Sequence, residues 1–284
     1  MQNSDVESTK FPRKMSMVIR DKLIDFSTPL VMGIINCTPD SFYSGSRSLS
    51  TDEILARIKD MLNSGADILD IGGYSSRPGA EEVSIDEETE RVIPVISAIR
   101  KQFPEVIISL DTFRSQVAEE GLKNGADLIN DISGFSIDPE LVDVVAKYKA
   151  PYVLMHMRGT PQTMQEFTKY DNLYKEILLY FSEKIDYLTK KGVRDILIDP
   201  GFGFSKTVEQ NHELLHCLEH FQVLDKPILL GISRKSMIYK KLGITAKESL
   251  PGTIALNAIG LSKGASVLRV HDVKEAVDLV RLIC

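Results

Sequence analysis

The chain has 284 residues, 43% of them hydrophobic, with a formal net charge of −6 at pH 7. That length suits either two ordinary domains or one barrel of about 250 residues, and the negative balance argues against a nucleic-acid footprint. The cysteines, Cys37, Cys217 and Cys284, are odd in number and form no CxxC pair, so reduced thiols are expected rather than a disulfide framework.

Residues 1–16 read as a flexible tail, polar over Met1–Lys14 where a signal peptide would be charged and then apolar. No apolar stretch approaches the roughly 18 residues of a membrane span. A cytoplasmic protein without membrane contact is expected. Residues Met17–Phe26 alternate loosely and predict a short hairpin. From there on, eight short apolar runs each break off into a residue capable of chemistry. Leu30–Ile35 ends at Asn36, Ile68–Ile71 leads through Gly72 to Arg77, Val106–Leu110 ends at Asp111, and Leu128–Ile129 ends at Asn130 and Asp131. Tyr152–Met155 then ends at His156, Ile196–Ile198 at Asp199, Ile228–Ile232 leads to Arg234 and Lys235, and Val267–Leu268 to Arg269 and His271.

Between these runs apolar residues recur at helical spacing, most extensively over Tyr170–Lys191, which reads as an outer helix. Strand, polar end and helix repeated eight times predict an α/β fold, a (β/α)8 TIM barrel in one domain over residues 17–284, its floor capped by the hairpin. An echo before four strands supports the count: Gly65, Gly125, Gly192 and Gly264 each follow a helical stretch, where glycine supplies a left-handed helix end. All strands of such a barrel point the same way, so their polar ends share one mouth. Carboxylates and amides there suit a ring rich in N–H donors, and the cations suit an anion.

Two motifs invite other chemistry. His212-Glu213-Leu214-Leu215-His216 matches the HExxH of zinc proteases, and His220 extends it by a turn. The segment lies in the helix after the sixth run, outside the barrel, with no distant third ligand, so a solvated helix face is expected. Cys37 follows a strand end, yet the sequence implies no particular histidine partner for a nucleophile; it reads as a packing residue.

The run Asn36-Cys37-Thr38-Pro39-Asp40-Ser41-Phe42 is too particular to be generic, and so is Gly72-Gly73-Tyr74-Ser75-Ser76-Arg77-Pro78-Gly79-Ala80. With Ser109-Leu110-Asp111-Thr112, Asn130-Asp131, Met155-His156-Met157-Arg158-Gly159, Asp199-Pro200-Gly201-Phe202-Gly203-Phe204, Ser233-Arg234-Lys235-Ser236 and Arg269-Val270-His271 in order, the chain resembles the dihydropteroate synthases of folate synthesis. The resemblance covers Val31 to the C-terminus. It implies a transferase that joins 4-aminobenzoate to 6-hydroxymethyl-7,8-dihydropterin diphosphate, releasing diphosphate, with Mg2+ as cofactor and a homodimer as the assembly. It implies pterin contacts from Asp111, Asn130 and Asp199, further substrate contacts from Met155 and Gly203, and Lys235 near both substrates. It further implies diphosphate contacts from Arg269 and His271, Asn36 as the metal ligand, and an aminobenzoate pocket of Ser76, Arg77, Pro78, Phe204 and Ser236, where sulfonamides act in the family. Asp131 is either a further contact or a fastener of strand ends.

Two departures stand out. Ser44 replaces an aspartate of the family's first loop, a role that passes to Asp40 or is absent, and in the second loop Tyr74 and Ser76 replace a glutamate and a threonine. An aromatic amine is neutral near pH 7, so the chemistry expected is a dissociative substitution, with the metal, Arg269 and His271 drawing off the anion while loops 38–47 and 74–82 exclude water. Two rivals share the barrel. A methyltransferase domain serving a corrinoid would need no Arg77, Lys235 or Arg269–His271 pair, and a silent pterin-binding protein would keep the site without the chemistry.

Overall fold

The computed structural model describes residues 15–37, 51–74 and 83–284. Residues 1–14 of the expected tail, and the loop positions Asp40, Ser44, Ser76, Arg77 and Pro78, lie outside the described residues.

An antiparallel hairpin comes first, β1 (Ser16–Ile19) and β2 (Lys22–Asp25), starting one residue before the alternation suggested. The parallel strands follow: β3 (Leu30–Asn36), β4 (Ile68–Gly72), β5 (Ile107–Asp111), β6 (Leu128–Asp131), β7 (Tyr152–Met155), β8 (Ile196–Asp199), β9 (Leu229–Leu230) and β10 (Val267–Val270). They run in the order β8-β7-β6-β5-β4-β3-β10-β9, and a parallel bridge between Ile198 and Ile228 brings the two ends together. All eight expected runs thus supply strands of one (β/α)8 barrel. The seventh is the shortest, two residues long. Strands buried on both faces need the largely apolar runs seen here, broken within β4, β5 and β10 by Asp70, Ser109 and Arg269.

Around the barrel lie α1 (Thr51–Asn63), α2 (Ile85–Gln102), α3 (Ser115–Lys123), α4 (Leu141–Tyr148), α5 (Leu173–Lys190), α6 (Val208–His216), α7 (Ser236–Leu242), α8 (Leu250–Ser262) and α9 (Val273–Ile283). The helix expected over Tyr170–Lys191 is α5, with 18 residues; α2 equals it in length, carried past Pro94 by the Ser84 cap and a first turn of Asp86, Glu87 and Glu88. None of the described helices is long and apolar enough to cross a membrane.

The glycine echo has a backbone cause. Gly65, Gly125, Gly192 and Gly264 all take φ between +91° and +109°, where a side chain is strained. After two of these glycines an aspartate ties the coming strand to the one before it: Asp67 Oδ2, ahead of β4, accepts from Val31 N of β3 at 2.8 Å, and Asp127 Oδ2, ahead of β6, from Ile108 N of β5 at 2.7 Å.

Beneath the barrel, Met17, Ile19 and Phe26 pack on Met32, Ile68, Leu128, Val153, Leu197, Leu229 and Val267. The hairpin therefore seals the floor, each buried side chain contributing about 2 kcal/mol. The open end is the mouth, at the C-terminal ends of the strands. A separate apolar cluster of Phe113, Ile132, Met155, Met157, Met164 and Phe204 sits at that end, with Tyr74 against it.

Candidate active site

At the mouth a single guanidinium joins two strands. Arg269 on β10 donates through Nε to Asp70 Oδ2 and through Nη2 to Asp111 Oδ2, both at 2.6 Å. Asp70 is wholly buried, and its other oxygen accepts from Ser109 Oγ at 2.5 Å. Asn130 Nδ2 also donates to Asp70, at 3.1 Å. Because Asp70 can only accept, it fixes which side of the Asn130 amide faces it and turns the carbonyl oxygen the other way.

Asp70 was absent from the sequence expectations, although a carboxylate inside the run Ile68–Ile71 was visible there. Its burial makes sense only with partners, and the barrel supplies three. Asp111 and Arg269, with 22% and 19% of their side chains exposed, are the members of the group that reach the mouth. Burial pushes the Asp111 carboxyl up to about 7; Arg269 opposes that rise and Asp70 adds to it. The cationic and anionic halves inferred from the sequence thus meet in one network.

The other wall is built from the ends of β8 and β9. Asp199 Oδ1 accepts from Gly201 N at 2.8 Å, and burial raises its pKa against the pull of Lys235 and Arg269. Lys235, at the start of α7, donates from Nζ to Phe202 O at 2.6 Å and lies 4.7 Å from the Phe204 ring centre, a cation–π distance. Burial pushes its ammonium down to about 8. Gly203, at φ +84°, takes a backbone conformation that strains any side chain, and a Cβ there would stand 3.2 Å from Lys235 Cδ. Met155 pairs in register with Asp199 and supplies apolar floor beside Phe204. Ser236 is half-buried as the first residue of α7.

His271 follows β10, its backbone N–H donating to Ser233 Oγ at 3.2 Å. Burial, with Arg269 adding to it, pushes its imidazole down to about 4, so at neutral pH it offers an N–H rather than a charge. Asn36 ends β3 opposite Gly72 of β4, at the same mouth.

Some polar residues prove structural. Asp131 accepts from Ser133 N (2.7 Å), Phe135 N (2.6 Å) and Tyr152 Oη (2.5 Å) and is fully buried; it fastens the β6 end. Arg234 is engaged bidentately by Asp272 at 2.8 and 2.7 Å. In the HExxH segment, His212 Nε2 lies 3.0 Å from Met237 O and links α6 to α7, while His216 is exposed. Burial pushes the Cys37 thiol up to about 12, which removes it as a nucleophile near neutrality.

A buried cation was also missed. Lys206 is 3% exposed, with Nζ 3.0 Å from Gly201 O and Phe204 O and 3.1 Å from His156 Nδ1. Burial pushes it down to about 7, while Asp199 favours the charged form. In sequence it reads as an ordinary solvated lysine, and nothing local reveals otherwise.

Residues 32–271 match the model of a family described as pterin binding enzymes. The dihydropteroate synthase of Escherichia coli K12 is 44% identical over 271 residues, 95% of each chain. Among solved structures, the Yersinia pestis dihydropteroate synthase with a sulfonamide drug superposes with a TM-score of 0.90 at 40% identity, covering 95% of this chain and 98% of that one. The Xanthomonas albilineans dihydropteroate synthase with 4-aminobenzoic acid gives a TM-score of 0.87 at 36% identity, covering 95% and 97%.

Proposed function

The chain belongs to the dihydropteroate synthase family, and from that premise we infer that it is a transferase condensing 6-hydroxymethyl-7,8-dihydropterin diphosphate with 4-aminobenzoate to 7,8-dihydropteroate and diphosphate. The observation that carries this reading is the convergence of Asp111, Asn130, Asp199, Lys235 and Arg269 above the apolar Met155 and Phe204 at one barrel mouth. Acceptors beside an apolar floor suit a flat heterocycle with N–H donors, and a cation bordering them suits its diphosphate.

In this reading Asp111, the Asn130 carbonyl and Asp199 accept from the pterin ring, and Lys235 donates to it. Gly203 lets the Lys235 stem lie close. Arg269, with the N–H of His271, draws charge onto the departing diphosphate as the methylene C–O bond breaks. The amine lone pair then forms the C–N bond, and the amine proton leaves to water or diphosphate. No strong base is needed, because the aryl amine is already neutral near pH 7. Phe204 and Ser236 border the aminobenzoate side, with Ser76, Arg77 and Pro78 assigned there and Asp40 assigned to the cationic methylene; these last four stand outside the described residues. Sulfonamides, which share the aryl amine, would compete on that side.

Among the described residues no group of three His, Cys, Asp or Glu side chains could hold a metal. A magnesium ion suits such a mouth only with few protein ligands, its remaining positions taken by water and phosphate oxygens. Asn36 is the side chain that would hold it, and the ion would neutralise developing diphosphate charge. We further place the protein in the cytoplasm as one catalytic domain over residues 17–284. A homodimer is supported by α8, an outer helix apolar around most of its circumference that leaves Ile259 exposed. Incubating the purified chain with the pterin diphosphate, 4-aminobenzoate and Mg2+ tests the reaction: dihydropteroate and diphosphate should appear together. Pterin binding without product would favour a silent binding protein.

A further inference from the structure

The segment between β8 and α6 coils tightly, with left-handed backbone at Gly201 (φ +73°), Gly203 (φ +84°) and Ser205 (φ +48°). A β-carbon on Gly201 would fall 2.0 Å from His156 O, so the coil rests directly on the end of β7. The coil has two faces. Its outward face holds the pterin-side groups: Gly201 N donates to Asp199, Phe202 O accepts from Lys235, Gly203 accommodates the Lys235 stem, and Phe204 presents its ring to the Lys235 ammonium.

Its inward face closes on Lys206. In the ammonium form the side chain has three hydrogens, and three acceptors meet them: Gly201 O, Phe204 O and His156 Nδ1. Such a match is unusual for a buried lysine, which ordinarily takes a carboxylate partner. To accept from Lys206, His156 carries its own hydrogen on Nε2. Two carbonyls three residues apart, converging on one point, set the curvature of the coil between them, and Phe202 and Gly203 lie within that span.

We propose that Lys206, buried beneath the coil, is a positioning residue for pterin recognition: by gathering the carbonyls of Gly201 and Phe204 against His156 it sets the coil that aims Lys235 and Asp199 at the ring. This role rests on the assignment of Asp199 and Lys235 to the pterin. The coil is also closed by Phe204 N donating to Gly201 O at 3.1 Å and Gly203 N donating to Asn211 Oδ1 at 2.6 Å, so loss of the Lys206 ammonium loosens Phe202 O and the Phe204 ring, and with them the anchor of Lys235, without unravelling the turn. The effect on the pterin is therefore transmitted through Lys235 and Asp199.

A double-mutant cycle on pterin binding decides it, read as the calorimetric Kd of 6-hydroxymethylpterin, with thermal melts confirming that each chain is folded. K206M should weaken binding by about tenfold in the wild-type background and by less than about threefold when Lys235 is already Met. A residue that merely supports the fold would give equal losses in both backgrounds, and that result, or no loss at all, overturns the proposal. Should K206M fail to fold, the His156 pair reads the same contact. H156N keeps an acceptor near the position of Nδ1 and should bind within about threefold of wild type, whereas H156L should weaken binding as K206M would. H156L binding like wild type overturns the role. A wild-type chain that does not bind the pterin overturns the site assignment itself; one that binds, while the Lys206 and His156 variants bind equally well, overturns this role alone.

Discussion

Arg269 and Asp70 stand 199 positions apart in the chain yet meet at 2.6 Å inside the barrel. The contact ties β10 to β4 across β3, and Asp70 passes the same carboxylate on to Asn130 and Ser109. One buried anion thus orients a cation assigned to diphosphate and an amide assigned to the pterin. Replacing it should damage both functions together. D70N is expected to lower kcat/KM by about 30-fold or more and stability by about 2 kcal/mol, since Arg269 keeps Asp111 but loses its stronger partner. Steady-state kinetics and urea melts check both, and a D70N chain with wild-type kcat/KM would show that the hub is idle in catalysis.

R269A separates binding from leaving-group chemistry. If Arg269 acts on the departing diphosphate, kcat should fall by about 100-fold or more, while the Kd of a pterin lacking the diphosphate changes much less. Comparable losses in turnover and in free-pterin affinity would assign Arg269 to the ring instead.

His271 sets an acid-side prediction. Its imidazole titrates near 4 in the fold and near 6.5 in an unfolded chain. Between those values the unfolded chain binds a proton that the folded one refuses, so the His271 contribution to stability is full above about pH 6.5 and is lost as pH falls toward 4, at most about 3 kcal/mol in all. Asp111, raised to about 7, contributes with the opposite sign over much of this range. The readout is therefore the difference between wild type and H271N in denaturant melts at pH 7, 5.5 and 4.5. The wild type should lose its advantage over H271N as pH drops; a constant difference would mean that the imidazole is not held neutral.

The barrel was legible because each parallel strand is a mostly apolar run with a polar residue at or just past its end, and because four helices stop at glycines whose positive φ leaves little choice. The mouth residues were legible for the same reason: a polar group just past a strand's C-terminal end has only one place to go. What escaped the sequence were partnerships. Asp70 sits inside a strand, where its charge becomes intelligible only once Arg269 arrives from β10. Lys206 reads as a surface lysine until the coil folds over it. Asp131 and Asn130 are neighbours of equal polarity, and only the three donors that converge on Asp131 separate a fastener from a ligand contact.

Lys235 offers a test on the alkaline side. Burial brings its ammonium down to about 8, so it is charged at neutral pH and loses that charge as pH rises through about 8. If the charged form donates to the pterin ring, kcat/KM for the pterin diphosphate should show an alkaline limb between about 7 and 8, as Lys206, brought down to about 7, and then Lys235 lose their charge. K235M should lower kcat/KM by about 100-fold and abolish that limb, because no titrating amine remains at the position and Lys206 acts through it. G203A gives a finer probe. Its Cβ would press on Lys235 Cδ from 3.2 Å, and the backbone at φ +84° would cost about 1 kcal/mol, so pterin affinity should fall while the limb survives, Lys235 being displaced but still ionisable. A limb that persists in K235M would show that the activity is governed by another group, and Lys235 would then be reduced to a packing role against Phe204.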